Sequence, residues 1–199
     1  MTAAIIDTST ANIASVRYAL ERLGAAYTLA RTPAQAEACD RLILPGVGAA
    51  GPAMAALRAN GWATALKQEA RPLLGVCLGM QLLFDWSEES QCELLGLIPG
   101  RVERLDPGRA GPWPHMGWNT LSGFADTEPL LAGVEEGARV YFVHGFFVRP
   151  SPATIARTEY GEAVTAMARA GGVAGCQFHP ERSGPVGARI LKNFLESAP

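Results

Sequence analysis

Leu73-Leu74-Gly75-Val76-Cys77-Leu78-Gly79 holds, within seven residues, a strand, a sharp turn and the start of a helix. Leu73 to Val76 shows no polar alternation, which predicts a strand covered on both faces, as in a parallel sheet. Gly75 and Gly79 stand two positions to either side of Cys77. A chain that turns sharply there would bring side chains at those positions into collision. The apolar stretch near 79–86 then predicts a helix. A buried strand that runs directly into a helix is the basic joint of an α/β sheet.

The same alternation recurs upstream. Ala4-Ile5-Ile6 reads as a buried strand, and Ile13, Val16, Leu20 and Leu23 share one helical face that ends at Gly24. Leu42-Ile43-Leu44 reads as another strand, closed by Pro45-Gly46 and followed by a helical stretch around 52–69. The second half differs: segments 94–104, 139–143, 153–159, 163–169 and 173–178 read as strands joined by short turns. A last amphipathic helix carries Val186, Ile190, Leu191, Phe194 and Leu195. The expected fold is α/β: an open, mostly parallel central sheet flanked by helices, with additional antiparallel strands in the second half. Ligands in such sheets sit beyond the carboxyl ends of the strands, so residues there carry the chemistry.

Composition bounds the class. The 199 residues are 48% hydrophobic and 18% charged, enough for a core that needs neither disulfides nor metal. One domain over 1–199 is expected, since neither a linker nor an internal repeat interrupts the chain. The 17 Lys and Arg against 19 Asp and Glu give a formal charge of −2, with no basic block, which argues against nucleic acid as a partner. No secretory signal is expected, because Asp7 arrives without a cationic leader. No apolar run approaches the roughly 18 residues a membrane span needs. Four cysteines, at 39, 77, 92 and 176, form neither a CxxC pair nor a zinc-like cluster, so free thiols in a reducing cytoplasm are the expectation. There is no P-loop and no GxGxxG, and no cofactor is expected.

Gly75-Val76-Cys77-Leu78-Gly79 has the form of a nucleophile elbow with cysteine in place of serine. The helix that follows would favour a thiolate at the sulfur. Taken alone, an ordinary buried cysteine at a strand end accounts for the pattern equally well. A partner base decides between them. His179 closes the apolar run Cys176-Gln177-Phe178, Pro180 stops the strand, and Glu181 follows two residues on. His179 can take the thiol proton and later protonate a leaving amine, while Glu181 orients the ring. Acyl transfer also needs an oxyanion hole. Pro45-Gly46-Val47-Gly48 offers unobstructed backbone N–H groups, and the N–H of Leu78 offers another. A plain strand-to-helix turn would explain the glycines of that loop just as well.

Gly75 to Gln81 and Gln177 to Glu181 together resemble the class I, triad-type glutamine amidotransferases, which hydrolyse glutamine through a γ-glutamyl thioester and pass ammonia to a synthase. Leu44-Pro45-Gly46-Val47-Gly48, Pro114-His115-Met116-Gly117-Trp118-Asn119, Tyr141-Phe142-Val143-His144 and Pro180-Glu181-Arg182-Ser183-Gly184 resemble, more narrowly, the glutaminase subunit of imidazole glycerol phosphate synthase. The stretch Asp7 to Val16, with Asn12, is similar to that subunit as well. The resemblance implies the class I amidotransferase fold and a heterodimer with a (βα)8 cyclase subunit in L-histidine biosynthesis. Cys77 is then the nucleophile, His179 the base and Glu181 the orienting acid.

The same resemblance implies that Val47, Gly48 and Leu78 build the oxyanion hole, the Val47 peptide reorienting when the partner binds its nucleotide. Gly46, Gln81 and the backbone of Gly145-Phe146 are expected to bind L-glutamine. The family usually has Ser or Thr, then often Tyr, where this chain has Gly145 and Phe146; main-chain contacts survive that change and a hydroxyl contact does not. Asn12, Trp118, Tyr141 and Arg182 match positions expected near the partner, although ordinary packing or a solvated charge would also explain them. His115 and His144 are read as structural or interface residues. Cys39, Cys92 and Cys176 are read as bystanders. A glutaminase subunit of anthranilate, aminodeoxychorismate or pyridoxal phosphate synthesis is the nearest alternative, followed by a cysteine peptidase of similar topology.

Overall fold

A computed structural model describes residues 1–8 and 13–196, so Asn12 lies outside the described residues. Strand β1 (Thr2–Ile6), helix α1 (Ile13–Arg22) and β2 (Ala26–Ala30) come first, followed by β3 (Arg41–Gly46), α2 (Ala50–Ala59) and α3 (Trp62–Ala65). β4 (Leu73–Cys77) leads directly into α4 (Leu78–Gln81). Short pieces follow: β5 (Trp86–Ser87), β6 (Cys92–Glu93), β7 (Arg101–Arg104) and α5 (Pro107–Ala110). The second half contains β8 (His115–Thr120), β9 (Arg139–His144), β10 (Phe146–Val148), β11 (Thr154–Glu159), β12 (Ala163–Ala170), β13 (Val173–Cys176) and α6 (Gly184–Glu196).

The central sheet has seven strands in the order β11-β12-β13-β4-β3-β1-β2. The block from β13 to β2 is parallel, whereas β12 pairs antiparallel with both β13 and β11. The expected fold class therefore stands, antiparallel additions included. β3 and β4 lie at the centre and are buried along their whole length, which explains their unbroken apolar runs. Fully burying a side chain such as Leu42, Ile43 or Leu44 contributes about 1.5–3 kcal/mol relative to leaving it in water.

The two faces of the sheet feed two separate cores. Ile5, Ile43, Leu74 and Val76 pack with Val16 and Leu20 of α1, with Ile190, Leu191 and Phe194 of α6, and with Val140 and Phe142 of β9. Ala4, Ile6, Leu42, Leu44 and Leu73 pack on the opposite side with Met54, Leu57 and Trp62 of α2 and α3. Alternate residues of each strand point to opposite faces, so neighbours such as Leu42 and Ile43 enter different cores.

Several local expectations are corrected. The helix expected near 79–86 ends at Gln81, and the strand expected over 94–104 begins only at Arg101. One set of bonds explains both. The carbonyls of Leu82, Leu83 and Phe84 accept from the N–H groups of Leu95, Leu97, Ile98 and Gly96, so the two segments satisfy each other instead of forming a helix and a strand. The helical stretch 52–69 is broken at Asn60-Gly61, where Gly61 takes a left-handed φ of 80°. β2, β5, β6, β8 and β10 have no counterpart among the expected strands. No helix among the described residues is long and apolar enough to cross a membrane.

Candidate active site

Cys77 ends β4 with φ 55° and ψ −113°, a conformation a residue with a side chain adopts only when its surroundings impose it. The glycines nearby are what make this possible. A Cβ on Gly75 would come within 2.6 Å of the Gly79 carbonyl oxygen, and one on Gly46 within 2.8 Å of the Gly79 nitrogen. A Cβ on Gly79 would overlap the carbonyl oxygen of Leu44. β3, β4 and α4 thus converge backbone to backbone, and Cys77 is presented at the carboxyl end of the sheet. Gly46 serves this convergence and does not itself line the catalytic cavity.

His179 arrives from the neighbouring strand, three residues beyond the end of β13. Its backbone is pinned to β9: its N–H donates to the Tyr141 carbonyl at 2.9 Å, and the Ser183 hydroxyl donates to the His179 carbonyl at 2.7 Å while accepting from the Tyr141 N–H at 3.0 Å. Pro180 then opens a single 3-10 turn through Arg182, which brings Glu181 back so that its Oε1 lies 2.8 Å from His179 Nδ1. Both side chains are buried. With Nδ1 committed to the carboxylate, Nε2 is left for the hydrogen bond to Cys77. Burial by itself disfavours the charged ring. The bonds to Cys77 and Glu181 outweigh it and raise the His179 pKa to about 10. These bonds favour a proton on the ring, as a group that takes up a proton from one neighbour and returns it to another requires.

A cavity of about 120 Å³ opens over this pair. It is lined by Cys77, Leu78 and His179, by Val47 and Gly48 of the loop after β3, by Gln81, and by Gly145 and Phe146. The fold thus brings together, around one space, the predicted nucleophile, base, oxyanion loop and glutamine-binding segment. Gly48 has φ 90°, the left-handed region in which glycine is free of strain. Gln81 lines the cavity with its amide nitrogen fully used, donating to the Phe146 carbonyl at 2.9 Å and to Gln177 Oε1 at 2.9 Å. Gln177 in turn places its own Nε2 3.9 Å from Cys77 Sγ. A strained cysteine, an imidazole–carboxylate pair behind it and a walled pocket in front can perform acyl transfer on a small amide.

Residues 4–198 match the family described as glutamine amidotransferase class-I. The chain belongs to that family. Among its relatives, the imidazole glycerol phosphate synthase subunit HisH of Xanthomonas axonopodis pv. citri (strain 306) is 51% identical over 193 residues, covering 97% of this chain and 96% of that one. The protein of the same name from Xylella fastidiosa (strain Temecula1) is 50% identical with the same coverage. The fold of this class-I amidotransferase is shared with the structure of PurLQS from Thermotoga maritima, at a TM-score of 0.77 and 21% identity, over 98% of this chain and 97% of that chain. A putative GMP synthase subunit from Thermoplasma acidophilum shares it at a TM-score of 0.73 and 17% identity, over 98% and 92% respectively.

The amidotransferase pocket also contains groups that sequence reasoning passed over. Glu89 lines it while accepting from the Ala50 N–H at 3.0 Å. In sequence, Glu88-Glu89 looks like a solvated charge pair, and nothing local marks it. Val143 contributes a carbonyl 3.7 Å from Cys77 Sγ, and His144 forms part of the wall. Of the expected partner-facing residues, Trp118, Tyr141 and Arg182 lie outside the cavity. Trp118 of β8 is 49% exposed and faces Tyr141 across the β8–β9 ladder, with ring centroids 6.0 Å apart. Arg182 is exposed beside the Glu181 turn.

Proposed function

We propose that this amidotransferase is the glutaminase subunit of an imidazole glycerol phosphate synthase, acting in the cytoplasm in L-histidine biosynthesis as one domain over 1–199. The observation that carries this reading is the nearly full-length, roughly 50% identity to proteins named as that synthase's HisH subunit, which favours this branch over the chorismate and pyridoxal phosphate branches.

In this reading His179 accepts the thiol proton of Cys77, and the sulfur attacks the side-chain amide carbon of glutamine. The backbone N–H of Leu78 and the Val47-Gly48 loop hold the oxyanion that forms. Collapse expels ammonia, protonated by His179, and leaves a γ-glutamyl thioester on Cys77. Water activated by His179 then releases glutamate and restores the thiol. Glu89, a carboxylate at the cavity wall, suits the α-ammonium of the substrate, and the Gly145-Phe146 backbone suits its carboxylate. Ammonia passes to a (βα)8 cyclase subunit. Val47 and Met116, exposed at 36% and 64%, supply apolar surface that supports docking alongside Trp118, Tyr141 and Arg182.

Glutamate release from glutamine tests the proposal, by the chain alone and then with the cyclase subunit and its nucleotide ligand. A low basal rate that rises by orders of magnitude is expected. Equal turnover in both would leave a glutaminase without the partner-controlled oxyanion loop. No glutamate in either would refute the glutaminase reading.

A further inference from the structure

The inner face of the β8–β9 hairpin carries a polar chain that the chemistry above does not use. His115 and His144 are cross-strand neighbours, both buried, with His115 Nδ1 2.9 Å from His144 Nε2. His144 Nδ1 lies 2.9 Å from the Phe146 carbonyl, which can only accept. That atom therefore carries the proton, and His144 Nε2, in a neutral ring, must accept from His115 Nδ1–H. His115 Nε2 is left as the acceptor facing the Asn119 amide nitrogen at 3.4 Å. The Asn119 amide is itself oriented by donating to the Glu159 carbonyl at 2.8 Å. Every donor meets an acceptor in only one arrangement of protons.

We propose that His144 and His115 are positioning residues of the glutamine site, a neutral pair with each ring held in its Nδ1–H tautomer, which fixes the Phe146 carbonyl and through it Gln81. The proposal rests on the glutaminase reading. The Phe146 carbonyl receives two donors, His144 Nδ1 and Gln81 Nε2, so its direction and the set of the Gln81 amide are determined together. Gln81 then holds Gln177, whose amide nitrogen points at Cys77. Two side chains of a hairpin thus set one wall of the catalytic cavity. His115 is clamped flat between Tyr160, with centroids 3.9 Å apart, and Phe142, at 4.7 Å, so it cannot tilt without breaking the stack. A second proton on His144 would set two N–H groups against each other. Burial agrees with this, pushing the His115 pKa down to about 4, and burial with His115 beside it pushes that of His144 to about 3.

The test uses the chain in complex with its cyclase subunit, with glutamate release as the readout. His144→Gln loses the donor at the Nδ1 position, His144→Asn keeps one there, and His115→Phe keeps the stacked ring but frees the His144 tautomer. Leaving the Phe146 carbonyl and the Gln81 amide unfixed should raise KM for glutamine about tenfold in H144Q and H115F, with kcat changed much less. H144N should lie much nearer wild type than H144Q. Unchanged KM in folded H144Q and H115F, or H144N as impaired as H144Q, overturns the proposal. Nitrogen-15 spectra of the histidine-labelled wild-type chain provide a check that needs no variant to fold. Two rings are expected as neutral Nδ1–H tautomers at pH 7, and either one found as Nε2–H or titrating near 6.5 refutes the pair. A wild-type complex that releases no glutamate would instead refute the glutaminase reading.

Discussion

The indole of Trp113 occupies the space that a side chain at residue 145 would need. A Cβ on Gly145 would lie 2.6 Å from Trp113 Cζ2, and Trp113 Nε1 donates to the Gly145 carbonyl at 3.0 Å. The Arg104 guanidinium covers the indole at 4.8 Å from the ring centroid. Glycine at 145 thus has a local cause: the Trp113 indole packs where a side chain would stand. Gly145→Ser should push the indole out, costing about 1–3 kcal/mol of stability and raising KM for glutamine. Thermal melts and steady-state kinetics check it, and a variant with unchanged melting temperature and KM would contradict this packing account.

Glu181→Gln tests the charge behind His179 while leaving its shape. The amide can still meet Nδ1 but no longer stabilises the imidazolium, so the raised His179 pKa should fall. Glutaminase kcat is expected to drop about 10²- to 10⁴-fold with little change in KM. If kcat stays within a few-fold of wild type, the carboxylate does not support the base.

Cys77→Ala should abolish synthesis from glutamine in the complex and spare synthesis from added ammonia. Ammonia bypasses the thioester, and alanine relieves rather than adds crowding at the strained φ of residue 77. Loss of both activities would mean that Cys77 mainly holds the structure together.

The buried pair His115 and His144 also predicts how stability responds to acid. Their folded pKa values, about 4 and about 3, lie below the ordinary 6.5, so the unfolded chain binds more protons between those values. Stability from keeping the rings neutral is complete above pH 6.5 and is lost as pH falls through about 4 to 3. Each tenfold loss of proton affinity on folding corresponds to about 1.4 kcal/mol, which places the destabilisation on the order of a few kcal/mol. The groups facing the pair are Tyr160, Phe142 and Asn119, with His179⁺ adding to the penalty on His144. Denaturant midpoints from pH 7 to 4 should fall less steeply in His115→Phe than in wild type. Parallel curves would show that these rings do not govern the acid response.

The turn at Cys77 and the His179–Glu181 pair were legible in the sequence because their constraints are local. Gly75 and Gly79 flank Cys77, and Glu181 follows His179 across one proline, so backbone stereochemistry and a two-residue turn hold these relationships wherever the fold places them. Unbroken apolar runs at β1, β3 and β4 announced strands covered on both faces, and with them the parallel sheet. Other features depend on partners far along the chain. The run after Gln81 looked helical, yet its carbonyls are taken by residues 95–98. His115 and His144 read as structural or interface residues with no sign of a link between them, and the β8–β9 register sets them opposite each other. Glu89 carries no local signal in the sequence, and only the folded chain brings it to the cavity wall. The sequence by itself determined the glycine-flanked turn at Cys77, the spacing of His179 and Glu181 and the type of sheet, because neighbouring residues impose them. Only the tertiary structure decided the walls of the pocket, because a hydrogen bond between distant residues exists only once the sheet has brought them together.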